Sequence, residues 1–243
     1  MEDVVTQLPL ELSKPWKGWL HPELALVISD LLSLLDHLEK TLAEVPDERD
    51  LTPGQLKAME WFERLPRHAN GQVIIVPLVH PDLCDALLDY VCKHGENWTP
   101  NLQEDDAYRI PEIVLHEKIP LLYRSVRAFS VQILYPICKL FFGREPDRID
   151  SIQLAKYTSE GTKSTGWHHD EDSTMTAVVN LAPERYKGGG TSVRTGLRTF
   201  EHVPSIPKGH ALLFNGYQLL HKGCPVEEGE RHLLVFWMTS GRG

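Results

Sequence analysis

The pattern of residue types along the sequence changes near residue 149, and this change constrains the fold more than any other feature. Beyond it, short runs of β-forming residues are separated by glycine and proline at near-regular intervals. Evenly spaced short strands with such turns are typical of antiparallel barrels and jelly rolls. A β-rich core is therefore predicted after this point. Its predicted strands cover residues 151–157, 174–181, 190–194, 199–203, 210–214 and 232–239.

The chain before this core is predicted to be mostly helical. Apolar residues recur at helical spacing from Pro22 to about Val45. A second helix is expected from Pro53 to Leu65, because Thr52 is a good N-cap residue and proline is favoured at the first helical position. The other predicted elements are a strand over residues 72–77, helices over residues 81–95 and 120–142, the latter interrupted at Pro136, and a polar loop over residues 96–109.

Together these segments predict a mainly β protein with helical support, of the α+β class. No stretch has the composition of a flexible linker, so the parts are expected to pack as one unit. We predict a helical extension over residues 1–70, a helical support layer over residues 71–148 and the β core over residues 149–243.

Charge and cysteine content narrow the class of protein. The formal net charge of −9 arises in the first 145 residues, which carry 14 basic and 23 acidic side chains, against 11 of each in the remainder. Neither part has the basic surplus that favours nucleic acid as a partner. No apolar run is long enough to span a membrane. The four widely spaced cysteines indicate free thiols in a reducing compartment, so a soluble cytoplasmic protein is predicted, of unspecified oligomeric state.

The residues that point to chemistry begin at Gly166-Trp167-His168-His169-Asp170-Glu171-Asp172. In an extended strand His168 and Asp170 project to the same face, and His221 follows fifty-one residues after Asp170. Two histidines and one carboxylate on one face of an octahedral ion leave three positions open, as in non-haem Fe(II) oxygenases. Ten residues further on, Arg231 enters an apolar strand and is suited to clamp a carboxylate.

In this order and spacing, the sequence resembles the Fe(II)/2-oxoglutarate-dependent oxygenases, and within them the prolyl 4-hydroxylase and lysyl hydroxylase branch. The resemblance covers residues 150–240, is loose over residues 72–145 and does not extend to residues 1–70. Further matching segments are Lys156-Tyr157, the block over residues 173–181, the glycines at residues 188–190, the block over residues 207–214 and Gly229-Glu230-Arg231.

The resemblance implies a double-stranded β-helix, or jelly roll, with N-terminal helices. It also implies Fe(II) held by His168, Asp170 and His221, and 2-oxoglutarate held by Arg231 and Tyr157. Such enzymes use O2, release succinate and CO2, and hydroxylate an unactivated C–H bond, with ascorbate as a candidate reductant. The branch suggests a peptidyl proline or lysine as substrate, and a small molecule is the other class expected.

Two alternatives remain open at this stage. His169 and Glu171 have the same spacing as His168 and Asp170, and counting back from the following strand favours them, whereas counting forward from Tyr157 favours the first pair. We predict the first pair, because the register of the preceding strand is fixed by pairing while loop lengths vary.

The function also has alternatives. The Trp-His-His-Asp sequence at residues 167–170 resembles nucleic-acid demethylases of the same superfamily. The lack of a basic surplus argues against that activity. A non-catalytic barrel that binds a metal or a small acid is the third possibility.

Overall fold

Helices form most of the described part of the chain before residue 143. The computed structural model describes residues 12, 16–41, 47–93, 98–100 and 109–241. None of the helices in these ranges is long and apolar enough to cross a membrane. The α-helices are α1 (Pro22–Ala25), α2 (Ile28–Thr41), α3 (Pro53–Glu63), α4 (Pro81–Lys93), α5 (Leu115–Lys118), α6 (Pro120–Phe129) and α7 (Tyr135–Phe142).

The predicted starts and interruptions of these helices have clear local causes. Helix α3 begins at Pro53, as predicted. The hydroxyl of its N-cap residue Thr52 accepts a hydrogen bond from the Gln55 N–H at 3.3 Å, while the Gln55 side chain accepts one from the Thr52 N–H at 2.8 Å. This reciprocal pair is a capping box. The helix predicted from Pro22 is broken between α1 and α2, and residues 42–46 lie outside the described ranges.

The long helix predicted over residues 120–142 is divided, as its proline suggested. The division is a π-helical turn at Ser130–Leu134, just before Pro136. A proline lacks an N–H and its ring displaces the carbonyl one turn earlier, which explains why the irregular turn precedes the proline. The Ser130 hydroxyl donates to the carbonyl of Val126 at 2.8 Å inside the core and satisfies one backbone group there.

The strands pair antiparallel throughout the described part of the chain. The strands are β1 (Arg67–His68), β2 (Val73–Pro77), β3 (Thr99–Pro100), β4 (Pro111–Val114), β5 (Arg148–Thr158), β6 (Met175–Asn180), β7 (Tyr186–Gly188), β8 (Thr191–Arg194), β9 (Phe200–Val203), β10 (His210–Phe214), β11 (His221–Gly223) and β12 (Val226–Thr239). One sheet has the order β1-β2-β10-β6-β12-β5-β4-β3, with β7 paired to the N-terminal end of β12, and a smaller sheet has the order β11-β8-β9.

All six strands predicted after residue 149 are present; β10 has the predicted bounds and the other five have shifted ends. The largest difference between predicted and observed bounds is at β12, which begins six residues before the predicted start and pairs with three other strands. Five strands of two to four residues were not predicted: β1, β3, β4, β7 and β11. Strands this short hold too few residues to show a period of two. Strand β3 lies within the predicted polar loop, most of which is outside the described residues.

The large sheet has a helix-covered face and an inner face. Side chains alternate along β12, so Leu234, Phe236 and Met238 belong to the main core cluster beneath the helices. Leu233 and Val235 point the other way and pack in a second cluster with Tyr157. Arg231 shares their parity, so the inner face holds the polar side chains discussed below.

The main core cluster contains residues from each of the three predicted parts. Leu24 from α1, Leu88 from α4 and Phe236 from β12 are all fully buried in it. The division into an extension, a support layer and a β core stays a prediction about organisation.

Candidate active site

His168 and His221 are brought together by the backbone. They form an isolated antiparallel bridge, with N–H to carbonyl distances of 2.9 and 3.0 Å. Nδ1 of His168 lies 2.9 Å from the Gly166 carbonyl, and Nδ1 of His221 lies 2.8 Å from the Leu219 carbonyl. A carbonyl only accepts, so each Nδ1 carries a proton and each Nε2 keeps its lone pair for a ligand.

The carboxylate of Asp170 completes the group. Its Oδ1 is 3.7 Å from Nε2 of both histidines. Its Oδ2 accepts a hydrogen bond of 2.5 Å from Thr176 Oγ1, which also lies 3.0 Å from the Ser173 hydroxyl. The carboxylate orientation is therefore set by hydrogen bonds that lie behind it.

A close backbone approach also fixes Asp170. Its N–H donates to the carbonyl of Gly216 at 2.9 Å. A Cβ atom at residue 216 would collide with Thr176 Oγ1 and Asp170 Oδ2, so the site requires glycine there.

The three side chains suit a divalent transition metal. Their ligand atoms all lie within 4.8 Å of one another, and two imidazoles with one carboxylate are the donor set of non-haem Fe(II) sites. Burial lowers the pKa of His221, although nearby Asp170 opposes this, so its imidazole is neutral and able to bind a metal. His169 and Glu171 are exposed, and no group of potential metal ligands among the described residues includes them.

Arg231 and Tyr157 lie deeper on the inner face. They are opposite each other in the pairing of β12 with β5, and the guanidinium carbon is 5.5 Å from the centre of the tyrosine ring. Arg231 is only 5% exposed; its Nη1 donates to the Gly190 carbonyl at 2.9 Å, and its Nε is buried without a hydrogen-bond partner.

A buried guanidinium needs an anion. Within the described residues no carboxylate forms an ion pair with Arg231, and an uncompensated buried charge is costly. A small internal cavity adjoins the guanidinium and is lined also by Asn180, Thr191 and Leu233. A bidentate carboxylate ligand would satisfy the free N–H and the charge.

Three successive glycines make room for this arginine. Gly188, Gly189 and Gly190 all have φ between 71° and 87°, a backbone conformation that residues other than glycine rarely adopt. A Cβ at Gly189 would lie 2.9 Å from the Tyr186 ring and 3.3 Å from Cδ of Arg231. The glycine turn noted in the sequence therefore packs against the arginine side chain.

Two of the three potential ligands, His168 and Asp170, line a wide cleft. Its rim carries four further carboxylates, from Glu112, Asp150, Glu171 and Asp172, together with the indole of Trp237. No lysine or arginine lines it among the described residues, although Arg148 pairs with Asp150 at 2.6 Å beside it. The cleft is acidic.

Residues 152–239 match the model of the 2OG-Fe(II) oxygenase superfamily. These residues belong to that superfamily. The resemblance predicted from the sequence is thereby confirmed, and the superfamily implies Fe(II) and 2-oxoglutarate as cofactor and co-substrate. No curated protein matches the sequence of the chain.

Solved structures with similar folds include prolyl hydroxylases. That of Trichoplax adhaerens, in complex with a hypoxia-inducible-factor peptide fragment, is 13% identical with a TM-score of 0.55 over 79% of this chain and 95% of that chain. The prolyl 4-hydroxylase of Pseudomonas putida is 16% identical with a TM-score of 0.52 over 66% and 86%. The carbocyclase SnoK from nogalamycin biosynthesis is 16% identical with a TM-score of 0.53 over 81% and 87%. This likeness confirms the predicted jelly-roll fold.

Two residues of the oxygenase domain were missed as site residues. Thr176 and Gly216 contact the carboxylate of Asp170 but do not belong to its short motif. The only sequence signal was the position of Thr176 within the block that resembles the superfamily's next strand.

Proposed function

We propose that the protein is an Fe(II)- and 2-oxoglutarate-dependent dioxygenase that hydroxylates an unactivated C–H bond of a peptidyl or small-molecule substrate. The observation that carries the proposal is the convergence of His168, Asp170 and His221 on one point, beside an acidic cleft. O2 is the second co-substrate, succinate and CO2 are the products, and ascorbate is a candidate reductant.

In this proposal the two histidines and Asp170 hold Fe(II). When bound, the iron supplies the activation of O2, which no side chain can perform. The backbone bridge between His168 and His221 sets the spacing of the imidazoles, and Thr176 directs Oδ1 of Asp170 toward them. His168 and Asp170 line the cleft, which would give a substrate access to the group.

Arg231 is proposed to bind the carboxylate of 2-oxoglutarate that is remote from the iron. Its unpaired Nε and its burial support this role, because a charge-assisted pair would compensate the desolvated guanidinium. Tyr157 packs against that guanidinium and is proposed to contact the same ligand.

The acidic cleft supports a peptide or a small molecule over nucleic acid. The exposed carboxylates of Glu171 and Asp172 would repel a phosphate backbone, and the described lining offers no lysine or arginine that would attract it. Among the similar folds, one is a prolyl hydroxylase in complex with a peptide fragment, which illustrates the peptidyl class. The demethylase alternative is therefore disfavoured.

The first test is an anaerobic titration of Fe(II)-loaded protein with 2-oxoglutarate, followed by visible absorption. The proposal expects a metal-to-ligand charge-transfer band that is lost in His221→Ala and kept in the matched variant His169→Ala. Folded, iron-loaded protein that gave no band would contradict the oxygenase proposal and favour a barrel with a binding role. A positive titration justifies screening peptides and small molecules by succinate release.

A further inference from the structure

A second group of potential metal ligands lies away from the active site. His21, Glu23 and His210 each offer one ligand atom, and these atoms all lie within 4.8 Å of one another. Within the described residues this is the only such group besides the active-site one. The rings of His21 and His210 meet edge to face, with centroids 4.8 Å apart.

The two groups sit at opposite ends of strand β10. His210 begins the strand, and Phe214 ends it with its ring 4.7 Å from that of His221. Four residues of extended chain span about 13 Å, since each contributes about 3.3 Å. The second group is therefore separate from the active site and shares no ligand with it.

Backbone contacts position both histidines. The His21 N–H donates to the Leu78 carbonyl at 3.1 Å, and the His210 N–H donates to the Pro207 carbonyl at 3.1 Å. Nδ1 of His210 lies 3.3 Å from the Lys208 carbonyl, which leaves Nε2 of that ring with its lone pair. These contacts fix the backbone of both histidines, and the Lys208 carbonyl also orients the His210 ring.

One contact must be exchanged when a metal binds. Nδ1 of His21 accepts a hydrogen bond from the Glu23 N–H at 3.3 Å, beyond the usual distance for such bonds. A coordinate bond to His21 would replace this weak contact. His21 is 8% exposed, whereas Glu23 is exposed, so the carboxylate side provides the route from solvent.

We propose that His21, Glu23 and His210 form a second divalent metal site, of the kind that takes Zn²⁺, which links the start of helix α1 to strand β10. Two imidazole nitrogens and one carboxylate oxygen are a common three-ligand set for zinc, with a water at the fourth position. Because α1 and β10 are more than 180 residues apart in the chain, one ion there cross-links distant segments. A bound ion that binds only the folded state stabilises it.

The test counts zinc equivalents in untagged, metal-stripped protein by calorimetric titration with Zn²⁺. The proposal expects two equivalents in the wild type, one in His210→Ala, one in His221→Ala and none in the double variant. His80→Ala is the matched control and should keep two, because His80 is a neighbouring histidine outside the ligand group. A wild type that binds a single equivalent, unaffected by His210→Ala, would overturn the proposal, as would two equivalents retained in His210→Ala.

A second measurement does not depend on the number of zinc equivalents bound. In the His221→Ala background, Co²⁺ should give the visible absorption of a four-coordinate site, and Zn²⁺ should raise the melting temperature. Both effects should disappear when Glu23→Ala is added, and because Glu23 is exposed this change leaves the core intact. Effects that persist without Glu23 and His210 would assign the metal elsewhere. Neither readout requires oxygenase activity.

Discussion

The Thr176 hydroxyl donates a 2.5 Å hydrogen bond to Oδ2 of Asp170, and so leaves Oδ1 as the oxygen that faces both histidines. The hydroxyl is itself held by Ser173, whose Oγ contacts the carbonyl of Met175 at 3.0 Å. Partners of this kind orient a ligand and tune its affinity for metal. The proposed metal site therefore extends beyond its three ligands into strand β6.

Replacing Thr176 by valine should weaken metal binding without unfolding the protein. Valine keeps the shape of threonine but cannot donate, so Asp170 loses its orienting bond. We expect an Fe(II) dissociation constant about 10- to 100-fold higher, measured anaerobically. The control is Thr174→Val, whose hydroxyl contacts Ser240 and not the carboxylate. Equal affinities in the two variants would refute the role of Thr176.

Alanine at residue 216 should abolish metal binding. Its Cβ would overlap Thr176 Oγ1 and the Asp170 carboxylate, so the carboxylate must turn away from the histidines. Retention of Fe(II) after desalting, measured by metal analysis, checks this. Gly161→Ala is the comparison, because there the added Cβ meets only the Thr158 hydroxyl in an exposed turn. Full occupancy of Gly216→Ala would contradict the packing argument.

Arg231→Leu should weaken the binding of 2-oxoglutarate and leave the stability of the fold almost unchanged. Loss of the guanidinium removes the proposed partner of 2-oxoglutarate, and we expect its dissociation constant to rise at least about 100-fold, with Arg231→Lys in between. Stability should change little, because the buried charge has no acidic partner to lose among the described residues. Calorimetric titration and thermal unfolding test both parts. Unchanged affinity for 2-oxoglutarate would exclude Arg231 as its ligand.

His232 should make the protein acid-sensitive. Burial lowers the pKa of His232 to about 4, against the opposing effect of Glu230, while Lys156 and Arg185 add to the lowering. The neutral imidazole packs edge to face on Trp98. Because the unfolded chain takes up this proton first, stability is present above pH 6.5 and is lost as the pH falls toward 4.

The loss from His232 alone is on the order of 3 kcal/mol over that range. Urea unfolding between pH 7 and 4 should show a shallower decline for His232→Leu than for the wild type. His21 and His221, whose pKa values are also lowered, act in the same direction in both proteins. The half-exposed His116 supplies the control His116→Leu, which should follow the wild type. Parallel curves for wild type and His232→Leu would contradict the prediction.

The acidic cleft should discriminate between substrates by charge. Peptides of one core sequence flanked by lysine should support faster succinate release than the same core flanked by glutamate, and added salt should reduce the difference. Glu171→Gln should reduce the difference between the two peptides as well, because this exposed carboxylate lines the cleft. A preference for the glutamate-flanked peptides would show that the substrate does not follow the charge of this cleft.

The sequence predicted what depends on local periodicity, and missed what depends on distant contacts. The spacing of His168 and Asp170 was readable because a strand repeats every two residues, and helix α3 because Thr52 and Pro53 mark its start. The close approach of Gly216 to Asp170 arises only when the loop after β10 folds back over the motif. Strand β11 has three residues and no pattern of its own, yet it carries His221.

The pairing of strand β12 restricts which insertions and deletions the chain can accept in evolution. Its 14 residues pair with β5, β6 and β7, and their alternation puts Arg231 on the inner face and Leu234 beneath the helices. Deletion or insertion of a single residue just ahead of Arg231 would exchange the two faces at that point unless a bulge absorbed it, placing a cation among leucines and emptying the guanidinium position. The strand already shifts register between Val226 and Glu228 and between Trp237 and Met238, so a change of its length is compatible with the buried arginine only where a bulge restores the alternation.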